Sequence, residues 1–139
     1  MLCLDKLGWQ DVDAPIGKDT RKLSYEEAAS FIVEQFARFS PRMAALATRA
    51  FNERWIEAED RPGKRMGGFC TSFPRDGQSR IFVTFSGSMG NLATLAHELG
   101  HAFHQSVMND LEPFNQQYAM AVAETASTFS EMIVADAAV

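Results

Sequence analysis

"TLAHELGHAFHQ" (Thr94–Gln105) holds all three histidines of a 139-residue chain. His97 and His101 are four residues apart, so on a helix they project from one face, one turn from each other. Two imidazoles in that relation can reach a single metal ion. Glu98 stands between them and completes H-E-x-x-H, the pattern of a zinc site with a carboxylate base beside the metal. The pattern demands a helix here, and Asn91 is a suitable cap for one running to about Met108.

A hydrolytic zinc site ordinarily takes three protein ligands and leaves a fourth position open. His104 has the right chemistry, but it lies only three residues beyond His101. Three imidazoles converging on one ion from a single short segment is poor geometry, so His104 reads as a residue behind the ligands or as packing. The last helix offers a better third ligand. In "AVAETASTFSE", Glu124 sits among small residues, where a carboxylate buried without a partner is costly. A dication shared across an antiparallel helix pair supplies the partner. Ser127, one turn on, and Glu131, two turns on, are candidates for supporting the ligands. Glu131 in particular can orient a ligand histidine; a solvated Glu131 is the plainer alternative. Gly100 is a poor helix former, and it predicts that another segment passes close to the histidine helix.

Upstream, residues 66–73 (MGGFCTSF) and 79–85 (SRIFVTF) read as extended, with PRDGQ as a hairpin connection. Gly67-Gly68 permits close approach by a neighbour or ligand, or marks a bulge. RIFVTFSG is either an edge strand able to pair with an extended peptide or an internal hairpin strand. Further back, Ser24 and Glu27 have capping-box spacing. Tyr25, Ala28, Ala29, Ile32, Val33 and Phe36 follow at helical period. Ser40-Pro41 opens a second helix, whose apolar stripe runs from Met43 through Leu46, Ala47, Ala50, Phe51 and Trp55 to Ala58. Residues 1–23 read as irregular. Downstream, NDLEPFNQQ connects to an apolar helix from about Gln117 to the end, and Tyr118 reads as packing. The expected organisation is one partial domain over 1–139. It has N-terminal helices in 1–65, a β-hairpin in 66–87, and the H-E-x-x-H and glutamate helices in 88–139. The fold class is mainly α with a small antiparallel β-hairpin or sheet.

Apolar residues make up 46% of the chain and charged ones 22%, with a net charge of −5. No Lys/Arg run stands out, which argues against nucleic acid as a partner. No stretch approaches the roughly 20 apolar residues of a membrane span, and the start does not read as a signal peptide. Cys3 and Cys70 form no C-x-x-C and read as free thiols of a cytoplasmic protein. "EMIVADAAV" ends without a cap, a glycine or a basic last turn, so the chain is expected to stop inside a helix, as a truncated piece. Apolar faces left bare by truncation would favour self-association.

"GKRMGGFCTSF", "TLAHELGHAFHQ" and "VAETASTFSEM" together resemble oligoendopeptidase F, of the thimet oligopeptidase-type zinc metallopeptidases. The resemblance extends to "LSYEEA" and "WIEAEDRPGK". It implies a zincin-like helical catalytic core holding one Zn2+ per chain through His97, His101 and Glu124. It also implies Glu98 as general base and acid. The expected function is a zinc-dependent endopeptidase that hydrolyses short oligopeptides with metal-activated water. The alternative is a zinc-binding fragment or accessory module without turnover, because the family's tyrosine and histidine donors for the tetrahedral intermediate lie C-terminal to the second motif.

Overall fold

The computed structural model describes residues 8–9 and 22–138. The irregular stretch expected over 1–23 falls almost wholly outside the described residues, as does Cys3. Four helices and a small sheet follow in the order α1 (Tyr25–Phe39), α2 (Pro41–Asn52), β1 (Ile56–Glu57), β2 (Gly68–Phe73), β3 (Gln78–Val83), α3 (Met89–Val107) and α4 (Met120–Ala138). The mainly helical class expected from the sequence is the one observed.

The start of α1 follows from its cap. Ser24 Oγ accepts from the Glu27 amide at 3.1 Å, and Glu27 Oε2 accepts from the Ser24 amide at 2.8 Å. Two amides that helix geometry leaves without partners are thereby satisfied. Ala28, Ile32 and Phe36 then fall on one buried face, and α2 returns against it through Met43, Ala44, Ala47 and Ala50.

The second helix is shorter than its apolar stripe suggests. It ends at Asn52, and Arg54 adopts a positive φ of 57°. Trp55 and Ala58 therefore lie beyond the helix. Trp55 is still core, 3% exposed. Its indole N–H donates to Glu53 Oε2 at 3.1 Å, and the Arg49 guanidinium lies 4.8 Å above its ring. An apolar residue can continue a helical period in sequence while leaving the helix in space, because burial constrains only the side chain.

The turn at Arg54 delivers a strand that the sequence reading did not anticipate. β1 pairs in parallel with β3, Ile56 opposite Ile81. β2 pairs antiparallel with β3, from Gly68 opposite Val83 to Phe73 opposite Gln78. The hairpin is as expected, but the sheet is mixed, with order β1-β3-β2. β3 is therefore central, which settles RIFVTF as an internal strand and leaves β2 at the edge. Lys64 fastens the β1 side: its Nζ donates to Glu59 O at 2.7 Å and Val83 O at 2.8 Å, and pairs with Glu57 at 2.9 Å.

α3 lies across the sheet and α4 lies on α3. Its N-cap is Ser88 rather than Asn91. Ser88 Oγ accepts from the Asn91 amide at 3.1 Å, while Asn91 Oδ1 accepts from the Ser86 and Ser88 amides at 2.9 and 3.3 Å. Asn91 thus serves as the third helical residue of a capping box. Leu92, Leu95, Ala96, Leu99 and Ala102 point into the core beside Ile81, Val83 and Trp55. Burying each large aliphatic side chain contributes about 1.5–3 kcal/mol. α4 begins at Met120, later than expected, after a short 3-10 turn at Pro113–Gln116. Its outer face leaves Val122, Phe129 and Met132 exposed.

The contact between α3 and α4 rests on a residue without a side chain. A Cβ built on Gly100 would stand 2.6 Å from Ser130 Oγ and 2.9 Å from the Ser127 Cα. The segment expected to pass close to Gly100 is α4. Gly100→Ala is expected to destabilise the chain by about 1–3 kcal/mol despite alanine's better helix propensity, because backbone and a buried serine must move. A thermal melt reads it; an unchanged or raised melting temperature contradicts the close contact.

Candidate metal centre

The α3–α4 contact places three donors together. His97 and His101 sit on the α3 face turned to α4, their ring centroids 4.9 Å apart. Glu124 comes from the second turn of α4. Its Oε2 lies 3.2 Å from His97 Nε2 and 3.8 Å from His101 Nε2. Of the described residues, these three form a group able to hold a metal ion, with ligand atoms within 4.8 Å of one another. Ligands bonded tetrahedrally at about 2.0–2.1 Å stand about 3.3 Å apart. Two imidazole nitrogens and a carboxylate oxygen are also the donors zinc takes. The residues present fit such an ion in both chemistry and spacing.

Two further residues hold the donors. His97 Nδ1 lies 3.1 Å from Glu131 Oε2, the contact that leaves Nε2 directed at Glu124 and fixes the ring. Ser127 is fully buried, and its hydroxyl donates to Glu124 Oε2 at 3.2 Å. Glu131→Gln is expected to weaken zinc binding about 10- to 100-fold. Competition with a chromophoric chelator reads this, and unchanged affinity removes Glu131 from the site.

Glu98 stands apart from the donor triad. It is 5% exposed, it lines the cleft, and its Oε2 has no hydrogen-bond partner. Burial and, less strongly, the Glu124 charge push its pKa up to about 7, against the lowering effect of His97. A buried carboxylate that lines a cleft and keeps one oxygen without a partner is suited to exchanging a proton. Burial also lowers the pKa of His101, reinforced by the His97 charge, which favours the neutral imidazole that a metal needs.

His104 is not brought to the triad. Its ring packs on Tyr118, centroids 4.5 Å apart, and its Nδ1 is buried without a partner. Tyr118 does pack, as expected, but it also lines the cleft. So do Gly68, Phe69, Cys70 and Ser72 of β2. For Gly68, Cys70 and Ser72 the sequence carried a signal, since alternate residues of a strand share one face; Phe69, on the other face, reaches the cleft from the strand edge. The Gly68 face is tight against α3, since a Cβ on Gly68 would stand 2.8 Å from Glu98 Oε1. The close approach foreseen at Gly67-Gly68 is made by the Glu98 side chain.

In this mainly helical core, the helix that carries H-E-x-x-H lies against a second helix that carries a carboxylate. The chain belongs to Peptidase family M3, whose family model matches residues 32–139. Group B oligopeptidase PepB of Streptococcus agalactiae is 31% identical over 137 residues, covering 98% of this chain and 23% of the relative. Oligopeptidase PepF of Bacillus subtilis is 29% identical over 138 residues, covering 98% and 20%. A crystal structure from Bacillus anthracis assigned as an oligoendopeptidase F superposes with a TM-score of 0.80 at 23% identity. It covers 94% of this chain and 25% of that one. The resemblance to oligoendopeptidase F read from the motifs is borne out. The chain spans about a fifth to a quarter of the length of the relatives it matches.

Proposed function

We propose that the chain is the metal-bearing core of a zinc-dependent endopeptidase acting on short peptides in the cytoplasm. The observation that carries this reading is the convergence of His97, His101 and Glu124 beside a buried Glu98 whose Oε2 has no partner. Those three residues would hold one zinc ion. When bound, zinc supplies Lewis-acid polarisation of the peptide carbonyl and makes the attacking water more acidic. Glu98 takes the proton from that water and returns it to the leaving amine nitrogen. Ser127 and Glu131 keep Glu124 and His97 in place while the proton moves. The free edge of β2, beside the cleft, offers its backbone groups to an extended substrate chain.

The relatives named oligopeptidases support short peptides as substrates. Among the described residues, no helix is long and apolar enough to cross a membrane. The net charge of −5 weighs against a polyanion,. The exposed Val122, Phe129 and Met132 support self-association of this chain,.

A second reading keeps the metal and drops the turnover. Among the described residues, the cleft lining includes no Lys or Arg to share charge developing on a carbonyl oxygen. A metal-binding module without catalysis is consistent with that. One experiment separates the two: metal analysis of the purified chain, followed by an internally quenched peptide offered to the zinc-loaded chain and to Glu98→Gln. Zinc near one per chain with Glu98-dependent cleavage supports the peptidase. Zinc without cleavage supports the module. Absence of zinc binding refutes both.

A further inference from the structure

We propose that Tyr118, together with Met120 and Cys70 of the same cleft, forms a pocket that selects a large apolar side chain, aromatic above all, on the bound peptide. This inference rests on the peptidase reading and adds to it a specificity-determining residue.

Tyr118 is held in place from behind. The 3-10 turn that precedes it is tied to α3 by Gln105 Nε2 donating to Gln116 Oε1 at 2.9 Å. It is closed on itself by Gln116 Nε2 donating to Leu111 O at 2.8 Å. The Tyr118 ring then rests on His104 at 4.5 Å, tilted by 43°. A ring supported in this way loses little freedom when a second ring meets its open side. Tyr118 is 40% exposed, and what it exposes lines the cleft that contains His97, Glu98 and His101.

The cleft has a volume of about 470 Å³. Its walls include the imidazoles of His97 and His101 and the carboxylates of Glu98 and Glu124. Tyr118, Met120 and Ala123, from the start of α4 and just before it, and Phe69 and Cys70, from β2, line it as well. The Tyr118 phenol and the Cys70 thiol are both neutral at ordinary pH. Burial, then the Glu98 charge, pushes the Cys70 thiol up to about 12. Burial, then Cys70, raises the Tyr118 phenol.

Three classes of side chain can be weighed against these walls. An acidic one would be brought close to Glu98 and Glu124 with no Lys or Arg lining the cleft. A small one would leave the walls without contact. A large apolar one replaces water on Tyr118, Met120 and Cys70, and an aromatic one also gains offset or edge contact with the Tyr118 ring. A preference of about tenfold or more for phenylalanine over alanine is in range for such burial.

The test uses the zinc-loaded Glu98→Gln chain, so that peptides bind without turnover. Calorimetry gives dissociation constants for three blocked peptides that differ at one central position, Phe, Ala or Glu. The expected order is Phe tighter than Ala by about tenfold, with Glu weakest. Adding Tyr118→Ala should bring the Phe-to-Ala ratio near one, while Tyr118→Phe keeps it. Met120→Ala, a change at a side chain 73% exposed and safe for folding, should reduce the ratio in part. An unchanged ratio in Tyr118→Ala overturns the proposal. Loss of zinc by that variant also overturns it, since Tyr118 would then support the histidine helix and not the substrate. Equal binding of all three peptides by the parent overturns the pocket and leaves the peptidase reading standing. Binding of none of them refutes that reading and the pocket with it.

Discussion

Glu124→Ala is expected to lower zinc affinity by more than the 10- to 100-fold typical of losing a residue that only supports a ligand. His101→Ala should do the same. The reason is geometric. The three donors meet at separations of 3.2 and 3.8 Å around Glu124 Oε2, and among the described residues no fourth joins them. Glu131 is already engaged with the far side of His97, so it cannot replace Glu124 without releasing that ring. Titration with zinc in competition with a chelator measures the loss. A Glu124→Ala chain that keeps its full affinity means that the ion, if bound, sits elsewhere.

Glu98→Gln should behave in the opposite manner. It is expected to keep zinc and, in any catalytically active form, to lose turnover by about 10²- to 10⁴-fold, the range that a positioned acid–base group contributes. The amide has the shape of the carboxylate but cannot accept the water's proton. Burial of Glu98 at 5% exposure makes the comparison clean, since few rearrangements are open to the side chain. Metal content and single-turnover rates together decide. Near-normal hydrolysis by the variant would move the base to another residue.

The grouping of His97, His101 and Glu124 was legible because a candidate metal site constrains residue type and spacing together. His97 and His101 four apart specify a helix face, and Glu124 stood out as a carboxylate among alanines. Gly100 announced a close neighbour, and α4 is that neighbour. What escaped the sequence were features set by tertiary packing. Trp55 continues the apolar period of α2, yet the chain has already turned at Arg54. β1 is two residues long, too short for any periodic signal, and it exists because Ile56 and Glu57 meet the open side of β3. Ser88 and Asn91 are both good caps, and only the neighbouring Ser86 amide decides between them. Tyr118 gave no sign of facing the cleft, because its orientation depends on a 3-10 turn whose anchoring glutamine bond spans eleven residues.

The candidate donors belong to two different helices, so an ion held by them would be a reversible cross-link. α4 has few buried residues of its own, Ala123, Ser127, Ser130 and Val134, and all but Val134 are small. Its adhesion to α3 therefore rests on close packing of small residues, with little burial of large apolar side chains. A ligand that binds only the docked arrangement adds to its stability by mass action, about 2.7 kcal/mol at a free concentration one hundred times the dissociation constant. Amide exchange along residues 120–138 should therefore slow as zinc is added, while α1, capped and packed on α2 without any donor to the ion, should scarcely respond. Chelation would act as a local solvent for the second helix, loosening one joint of the molecule and leaving the rest assembled.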